Sequence, residues 1–420
     1  MKSKSHVRYL YFSLIVFMLY SGICCSAFMV TLYDSRGITQ SQVGIILAIS
    51  SAVSIFSPPV MGILADKIRS KRRTLMLTLL VGGITNAILP LLAGNFILLL
   101  ATVLIGNAFR GASFSVYDAW LVAECAEDSK KGGKMDYGSV RLWGSVGYSL
   151  FSLIFGWMVK MAAGEVDIAL YIGGSIMTLT GAMCLLGRQQ ETGAAVAGEG
   201  KKSTLTLRQL KPQRLLKNYY FVTFFFVFIL VNVTKDFGTA YLTYLLQDIG
   251  KDASYIGVLN GIKAAAEVPL MLVSGKLAKK FGYEACIFSV GLIYAVEHLC
   301  YSWAASPVVL IVAQVLHGAF SGLFMGLAGS YLFSLVPGSL STSAQTFAIA
   351  GSNIMSVLGN LGSGYLLEAL GVHVLYQCIA IPPAIGILLF GVTLIIGKSK
   401  KIARYDGKHD PFEQQLAAQL

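Results

Sequence analysis

"RGITQSQVGIILA", residues 36–48, and "IGKDASYIGVLNG", residues 249–261, read as two versions of one stretch. Gly37, Gly44 and Gly62 recur as Gly250, Gly257 and Gly275 at a constant offset of 213. Leu64, Ala65 and Lys67 recur at the same offset as Leu277, Ala278 and Lys280, so that "GILADK" at 62–67 faces "GKLAKK" at 275–280. Several matches in one register identify an internal repeat. In an apolar chain, two copies of one plan predict two pseudo-symmetric halves with a binding site between them near the bilayer midplane.

The surroundings of the repeat are those of a membrane protein. Of 420 residues, 55% are hydrophobic and 13% charged, and the mean hydropathy is +0.68. Soluble domains carry about a quarter charged residues. About 20 apolar residues cross the hydrocarbon core. Twelve runs of that kind lie near 9–32, 42–65, 73–93, 96–124, 138–160, 167–187, 217–246, 254–275, 284–303, 307–336, 343–368 and 373–397. The fold class predicted is an all-α membrane protein of twelve transmembrane helices in two six-helix halves. The polar stretch 188–216 divides residues 1–187 from 217–397, and 398–420 form a tail. The first run is too long for the apolar region of a signal peptide, so it reads as a span.

The net charge of +12 is carried by alternate loops. "MKSKSHVR", "DKIRSKRR" at 66–73, "SKKGGK" at 129–134, "GKLAKK" and "GKSKKIAR" are basic, as is the stretch 201–217. The intervening loops hold little beyond Arg36, Lys160 and Lys251. By the positive-inside bias, both termini and the long loop face the cytoplasm of a multi-pass plasma-membrane protein. The charge therefore answers to the bilayer and not to nucleic acid. The seven cysteines fall mostly within apolar runs at spacings suited to neither zinc nor a disulfide framework. No G-x-x-x-x-G-K-[ST] loop is present, so transport driven by ATP hydrolysis in this chain is excluded. No nucleophilic triad or metal-ligand cluster stands out, and neither an enzyme nor a cofactor is expected.

The charges inside the spans carry the functional reading. A charge at the bilayer centre costs about 2.5–3.5 kcal/mol on insertion scales. Asp118 and Arg141 lie on consecutive helices joined by a short loop, so they can meet. A carboxylate accepts two hydroxyl hydrogen bonds, and a guanidinium donates a planar fork. Such a pair suits a polyol and equally suits a structural bridge. Arg110 is eight residues from Asp118, about 80° round the helix and about 12 Å along it; it lines the same cavity or pairs with an acid elsewhere. Asn107, Trp120 and Trp143 are further candidates for substrate contact. Glu124 and Asp136 read as loop-edge residues in water. In the second half, Lys263 and Glu267 are spaced i,i+4 and share a face. Lys235 and Asp236 are adjacent, about 100° apart. Glu297, His298 and His317 are candidates for a proton relay, with a hydrogen-bonded packing role as the alternative for a lone intramembrane histidine.

"GILADKIRSKRR" resembles the loop 2–3 signature of the major facilitator superfamily. Gly62, Asp66 and Lys67 match, while Arg69 stands where glycine is usual, so a different turn is expected. The resemblance implies a gating role for Gly62, Asp66, Lys67, Arg69, Gly275 and Lys279. A narrower likeness is to the lactose permease group of oligosaccharide:proton symporters. "YGSVRLWGSVGYSL" at 137–150 is similar to that group's F-G-x-x-R-x-F-G-x-V-G-W, "YDAW" at 117–120 to its E-A-F segment, and "QVLHGAF" at 314–320 to its K-x-L-H-x-x-E segment. The resemblance implies that Asp118 binds sugar, with Arg141 as partner and Tyr148 stacking on the ring. It places His317 at the helix ten histidine, Asp236 at a helix seven aspartate and Glu267 near the helix eight glutamate. Gln314 replaces the family's lysine, and Phe320 stands where the family has its proton-coupling glutamate.

These readings converge on an importer of a sugar, a small oligosaccharide or glycoside, working by proton symport with alternating access. Its partners would be the small-molecule substrate, protons and the lipid bilayer, and one chain holding both halves can act as a monomer. The alternatives are a symporter for a nucleoside or other polar aromatic solute, a sugar uniporter, and a sensor that binds substrate without flux.

Overall fold

The computed structural model describes residues 2–130, 132–133, 135–186, 215, 217–337 and 340–402. The expected linker 188–216, apart from Leu215, and the tail beyond 402 lie outside the described residues. Among those described there are helices and turns and no strand.

In chain order the helices are α1 Lys2–Ile23, α2 Met29–Ser35, α3 Gln40–Ile68, α4 Lys71–Leu92, α5 Phe96–Arg110, α6 Ser113–Lys130, α7 Tyr137–Met161 and α8 Asp167–Met183. There follow α9 Tyr219–Ala240, α10 Leu242–Asp248, α11 Ser254–Phe281, α12 Tyr283–Ser302, α13 Pro307–Ser334, α14 Ser341–Leu370 and α15 Val372–Ser399. Eleven helical segments among the described residues are long and apolar enough to cross a bilayer. They match eleven of the twelve expected runs, and α14, at 30 residues, coincides with the other. Helices are the response of backbone to hydrocarbon, where every N–H and C=O must be paired within the segment.

The helix starts are written into the loops. Thr39 and Gln42 form a capping box at α3. Ser70 accepts from the Arg73 amide at α4, Asn95 from Ile97 and Leu98 at α5, and Asp136 from Ser139 at α7. Each satisfies N–H groups that the first helical turn leaves open. Two spans are irregular in mid-course. A 3-10 segment, Cys24–Phe28, separates α1 from α2, and Gly111–Ala112 interrupt the span that contains α5 and α6.

The chain forms two compact units. The first comprises Met1–Val196, Ala240–Ala265 and Asn360–Ala369; the second comprises Ala197–Thr239, Ala266–Gly359 and Leu370–Leu420. In the first, α1 packs on α7 and α8, and α4 packs on α5 and α8. The same unit includes the ends of spans from later in the chain. Gln247 Nε2 donates to Asp34 at 2.8 Å, the Ser41 amide to Glu368 at 2.8 Å, and Asn360 Nδ2 to Ser51 at 3.0 Å. In the second unit, α12 packs on α13 and α15 around an aromatic core that includes Phe224, Tyr294, Phe320 and Tyr331.

The repeat is visible residue by residue. Gly37 and Gly250 both have positive φ, 74° and 68°. Gly44 and Gly257 are both points of close approach. A Cβ on Gly44 would stand 2.7 Å from Gly364 Cα, and one on Gly257 would stand 2.6 Å from the Gly156 amide nitrogen. Small residues allow membrane helices this proximity. Gly62 and Gly275 differ: a Cβ at either would meet nothing within 4 Å. The expectation of an altered turn at Arg69 is corrected. Arg69 itself takes the left-handed conformation, φ 53° and ψ 33°, and ends α3 as a glycine would. For a residue with a Cβ that conformation costs roughly 1–2 kcal/mol.

Two outcomes follow. Gly44→Leu should lower the thermal midpoint of the detergent-solubilised protein, because overpacking costs about 1–3 kcal/mol, whereas Gly62→Leu should leave it unchanged. Equal losses in both would remove the close approach as the cause. Arg69→Gly should raise the midpoint by relieving the left-handed strain, and a fall would mean that the Arg69 side chain contributes more than its backbone conformation costs.

Candidate functional site

Asp118 and Arg141 do come together. The cap at Asp136 sets the start of α7, which carries Arg141 back alongside α6. Arg141 Nε lies 3.7 Å from Asp118 Oδ1, with the two side chains 28% and 36% exposed. That separation is too long for a direct hydrogen bond, so the two form an ion pair with donor and acceptor capacity unspent. Tyr20 of α1 fixes the guanidinium twice. Its hydroxyl accepts from Arg141 Nη2, and its ring lies 4.3 Å from the guanidinium carbon. Tyr137 interacts with both members of the pair. Tyr148 is half-buried on α7, and seven residues from Arg141 returns it to the same face.

The other candidates near the pair are placed differently. Trp120 is packed in the core, 4.7 Å from the Phe12 ring. Trp143 is exposed and donates from Nε1 to the Tyr9 hydroxyl at 3.2 Å. Each is two residues from a member of the pair, which puts it on a different helix face. Glu124 is not in water. It is buried, with Arg8 Nη1 at 3.9 Å from its carboxylate. Asp136 does sit at the loop edge, capping α7.

Arg110 is held by neutral groups. Nη1 donates to Ser26 Oγ at 3.0 Å and to Asn86 Oδ1 at 2.9 Å, and Nη2 donates to Asn107 Oδ1. The Met29 sulfur lies 4.0 Å from both terminal nitrogens. No carboxylate of the described residues lies within ion-pair distance of it. Asn107 therefore belongs with Arg110 and not with Asp118.

The second unit holds a separate polar cluster, fully buried. His317 Nδ1 lies 2.7 Å from Glu297 Oε1, with the side chains 2% and 0% exposed. His298 does not join them; its Nδ1 donates to the Tyr294 carbonyl at 3.0 Å. Phe320 stacks on Tyr294 with centroids 3.8 Å apart. Gln314, fully buried, has neither amide atom hydrogen-bonded to a described residue. Lys263 and Glu267 are half-buried on α11. The side chains of Lys235 and Asp236 lie outside the described residues, although their backbone is helical in α9. Of the gating residues, Asp66, Lys67, Arg69, Gly275 and Lys279 are exposed and Gly62 is half-buried.

Sequence reasoning missed Tyr20, Tyr137, Ser26 and Asn86. A tyrosine, serine or asparagine inside an apolar run has the same spacing whether it faces a site or a neighbouring helix. The one available signal was that polar residues gather on both sides of the Cys24–Cys25 pair.

Residues 9–378 match the MFS_1 like family. Maltose permease of Geobacillus stearothermophilus is 26% identical over 379 residues, spanning 89% of this chain and 90% of that protein. Lactose permease of Klebsiella oxytoca is 23% identical over 368 residues, 83% of this chain and 85% of that protein. Among solved structures, nucleoside transporter NupG aligns with a TM-score of 0.78 at 15% identity, over 92% of this chain and 98% of the other. A bacterial homologue of the lysosomal transporter Spinster aligns with a TM-score of 0.68 at 13% identity, over 94% and 97%. The structural likenesses are likenesses of fold. The chain belongs to the MFS_1 like family: it is a multi-pass membrane transporter of the major facilitator superfamily and not an enzyme.

Proposed function

We propose that the chain imports a sugar, a small oligosaccharide or glycoside, by proton symport with alternating access. The observation that carries the reading is the Asp118–Arg141 pair. It is loose at 3.7 Å and partly exposed, and it is braced by Tyr20 rather than closed on itself. A charge pair in this state gives a polyol both an acceptor and a donor fork. Tyr148 on the same face supplies an apolar ring surface. A purely structural bridge would gain from closing to hydrogen-bond distance.

The proton function is assigned to the Glu297–His317 pair. The family likeness places an acid at position 320, where this chain has phenylalanine. Here the acid that meets the histidine comes from the neighbouring helix α12, at 2.7 Å. With the Nδ1–H donated to the carboxylate the pair is anionic, and taking up one proton makes it neutral. In a fully buried site that change requires solvent access, which alternating access supplies. Glu267 is the alternative carrier on α11, with Lys263, Lys235 and Asp236 as candidate charge partners. The exposed Asp66, Lys67, Arg69 and Lys279, with Gly62 and Gly275, are assigned to gating. The basic loops support a plasma-membrane protein with both termini in the cytoplasm, working as a monomer.

The test is a substrate-induced pH change in proteoliposomes, with disaccharides, monosaccharides and nucleosides as probes. Alkalinisation of the outer medium on sugar addition is expected. Sugar entry without proton movement would make the chain a facilitator, and a response to nucleosides alone would overturn the sugar reading. Asp118→Asn should weaken sugar binding about 10- to 150-fold, the span of a charged hydrogen bond worth about 1.5–3 kcal/mol; unchanged affinity in the folded variant would take the carboxylate out of the site. Glu297→Gln should abolish uphill accumulation while sparing equilibrium exchange. Intact accumulation there, with loss in Glu267→Gln, would move proton coupling to α11.

A further inference from the structure

We infer that Arg110 is the receptor for an anionic group, so that the transported sugar carries a carboxylate or a phosphate. The inference deepens the proposed function and rests on the reading of this chain as a sugar transporter.

Arg110 lies deep in the span Phe96–Lys130, about 21 Å of helix from one end and about 30 Å from the other at 1.5 Å per residue. At that depth an arginine normally pairs with an acid or with backbone carbonyls. This one is clasped by three side-chain oxygens, Ser26, Asn86 and Asn107, none of them charged. Its ionisable neighbours are the Cys25 thiol and the Tyr33 phenol, both fully buried. The clasp is itself oriented. Asn86 Nδ2 points at Cys25 Sγ, 3.7 Å away, and Met177 Sδ, 3.6 Å away, which turns its oxygen toward the guanidinium. The acceptors therefore fix the direction of the cation without cancelling its charge. Three of the five guanidinium N–H groups meet oxygen; the second Nη2 hydrogen faces only the Met29 sulfur, a weak acceptor, and Nε–H bonds to no described residue, so these two form the edge that a planar oxyanion would take.

The backbone around Arg110 points the same way. The 3-10 segment Cys24–Phe28 contributes Ser26, and the Gly111–Ala112 interruption follows Arg110 directly. Irregular backbone at membrane depth is tolerated where it lines a cavity or is covered by protein, and transporters form substrate sites at such discontinuities. Ser113, which opens α6, is fully buried with its hydroxyl unpartnered among the described residues. Arg141 shows the contrast: it has Asp118. A neutral sugar would leave the Arg110 charge without a counter-charge from the described residues, whereas a uronate or a sugar phosphate supplies one.

The experiment compares maltose, its uronate and its 6′-phosphate as ligands of the purified protein and as substrates in proteoliposomes. At least one anionic sugar should bind ten times or more tightly than maltose, and which of the two does so separates a carboxylate from a phosphate site. Arg110→Gln should erase that preference. If Arg110→Gln does not fold, Asn107→Asp decides, because it neutralises the guanidinium in place and should erase the preference as well. Equal affinity for neutral and anionic sugars in the unaltered protein, or a preference that survives Asn107→Asp, would overturn the inference and leave sugar transport standing. Binding of a non-sugar phosphate or carboxylate that depends on Arg110, with no sugar bound, would keep the anion site and overturn the sugar reading.

Discussion

Hydrocarbon offers a polar group no partner, and most of the particular features of this protein answer that one constraint. The backbone answers by forming helices along nearly every described stretch. The side chains answer in three different ways. Asp118 and Arg141 compensate each other as opposite charges while remaining partly open. Glu297 and His317 do so in complete burial. Arg110 is oriented by neutral oxygens and keeps its charge. Each solution leaves a different property available: hydrogen bonds to a polyol, a shared proton, and an uncompensated cation.

Packing follows from the same setting. Apolar surface drives no association between helices already in lipid, so close approach and polar contacts carry more of the work. The glycines at 44, 156, 257 and 364 bring backbones nearly into contact. Hydrogen bonds through Asp34, Ser41, Ser51 and their partners accompany them. These contacts group the ends of α3, α7, α11 and α14 in one compact unit, although the helices lie far apart in the chain. The aromatic stack of Tyr294 and Phe320 serves the second unit, filling the volume beside the Glu297–His317 pair that an acid at 320 would otherwise take.

Two local arrangements are set by single residues. Arg69 takes the left-handed conformation that the turn demands, so the turn survives the loss of glycine at an energetic cost. His317 meets an acid, Glu297, from the adjacent helix.

The sequence by itself determined the class of fold, the approximate course of the spans, the repeat and the meeting of Asp118 with Arg141. These depend on hydrophobic run length, on a constant offset and on a short connection between consecutive helices, all of which are properties of the chain read in order. Only the tertiary structure decided that Glu124 is buried against Arg8, that Trp120 is core while Trp143 is exposed, that His298 turns to a backbone carbonyl, and that Arg110 is held by Ser26, Asn86 and Asn107. Those outcomes depend on which face of a helix meets which neighbour. In a span that is apolar on every side, the sequence pattern does not mark a face; contacts between residues far apart in the chain, as between Arg110 and Ser26 or Glu124 and Arg8, do.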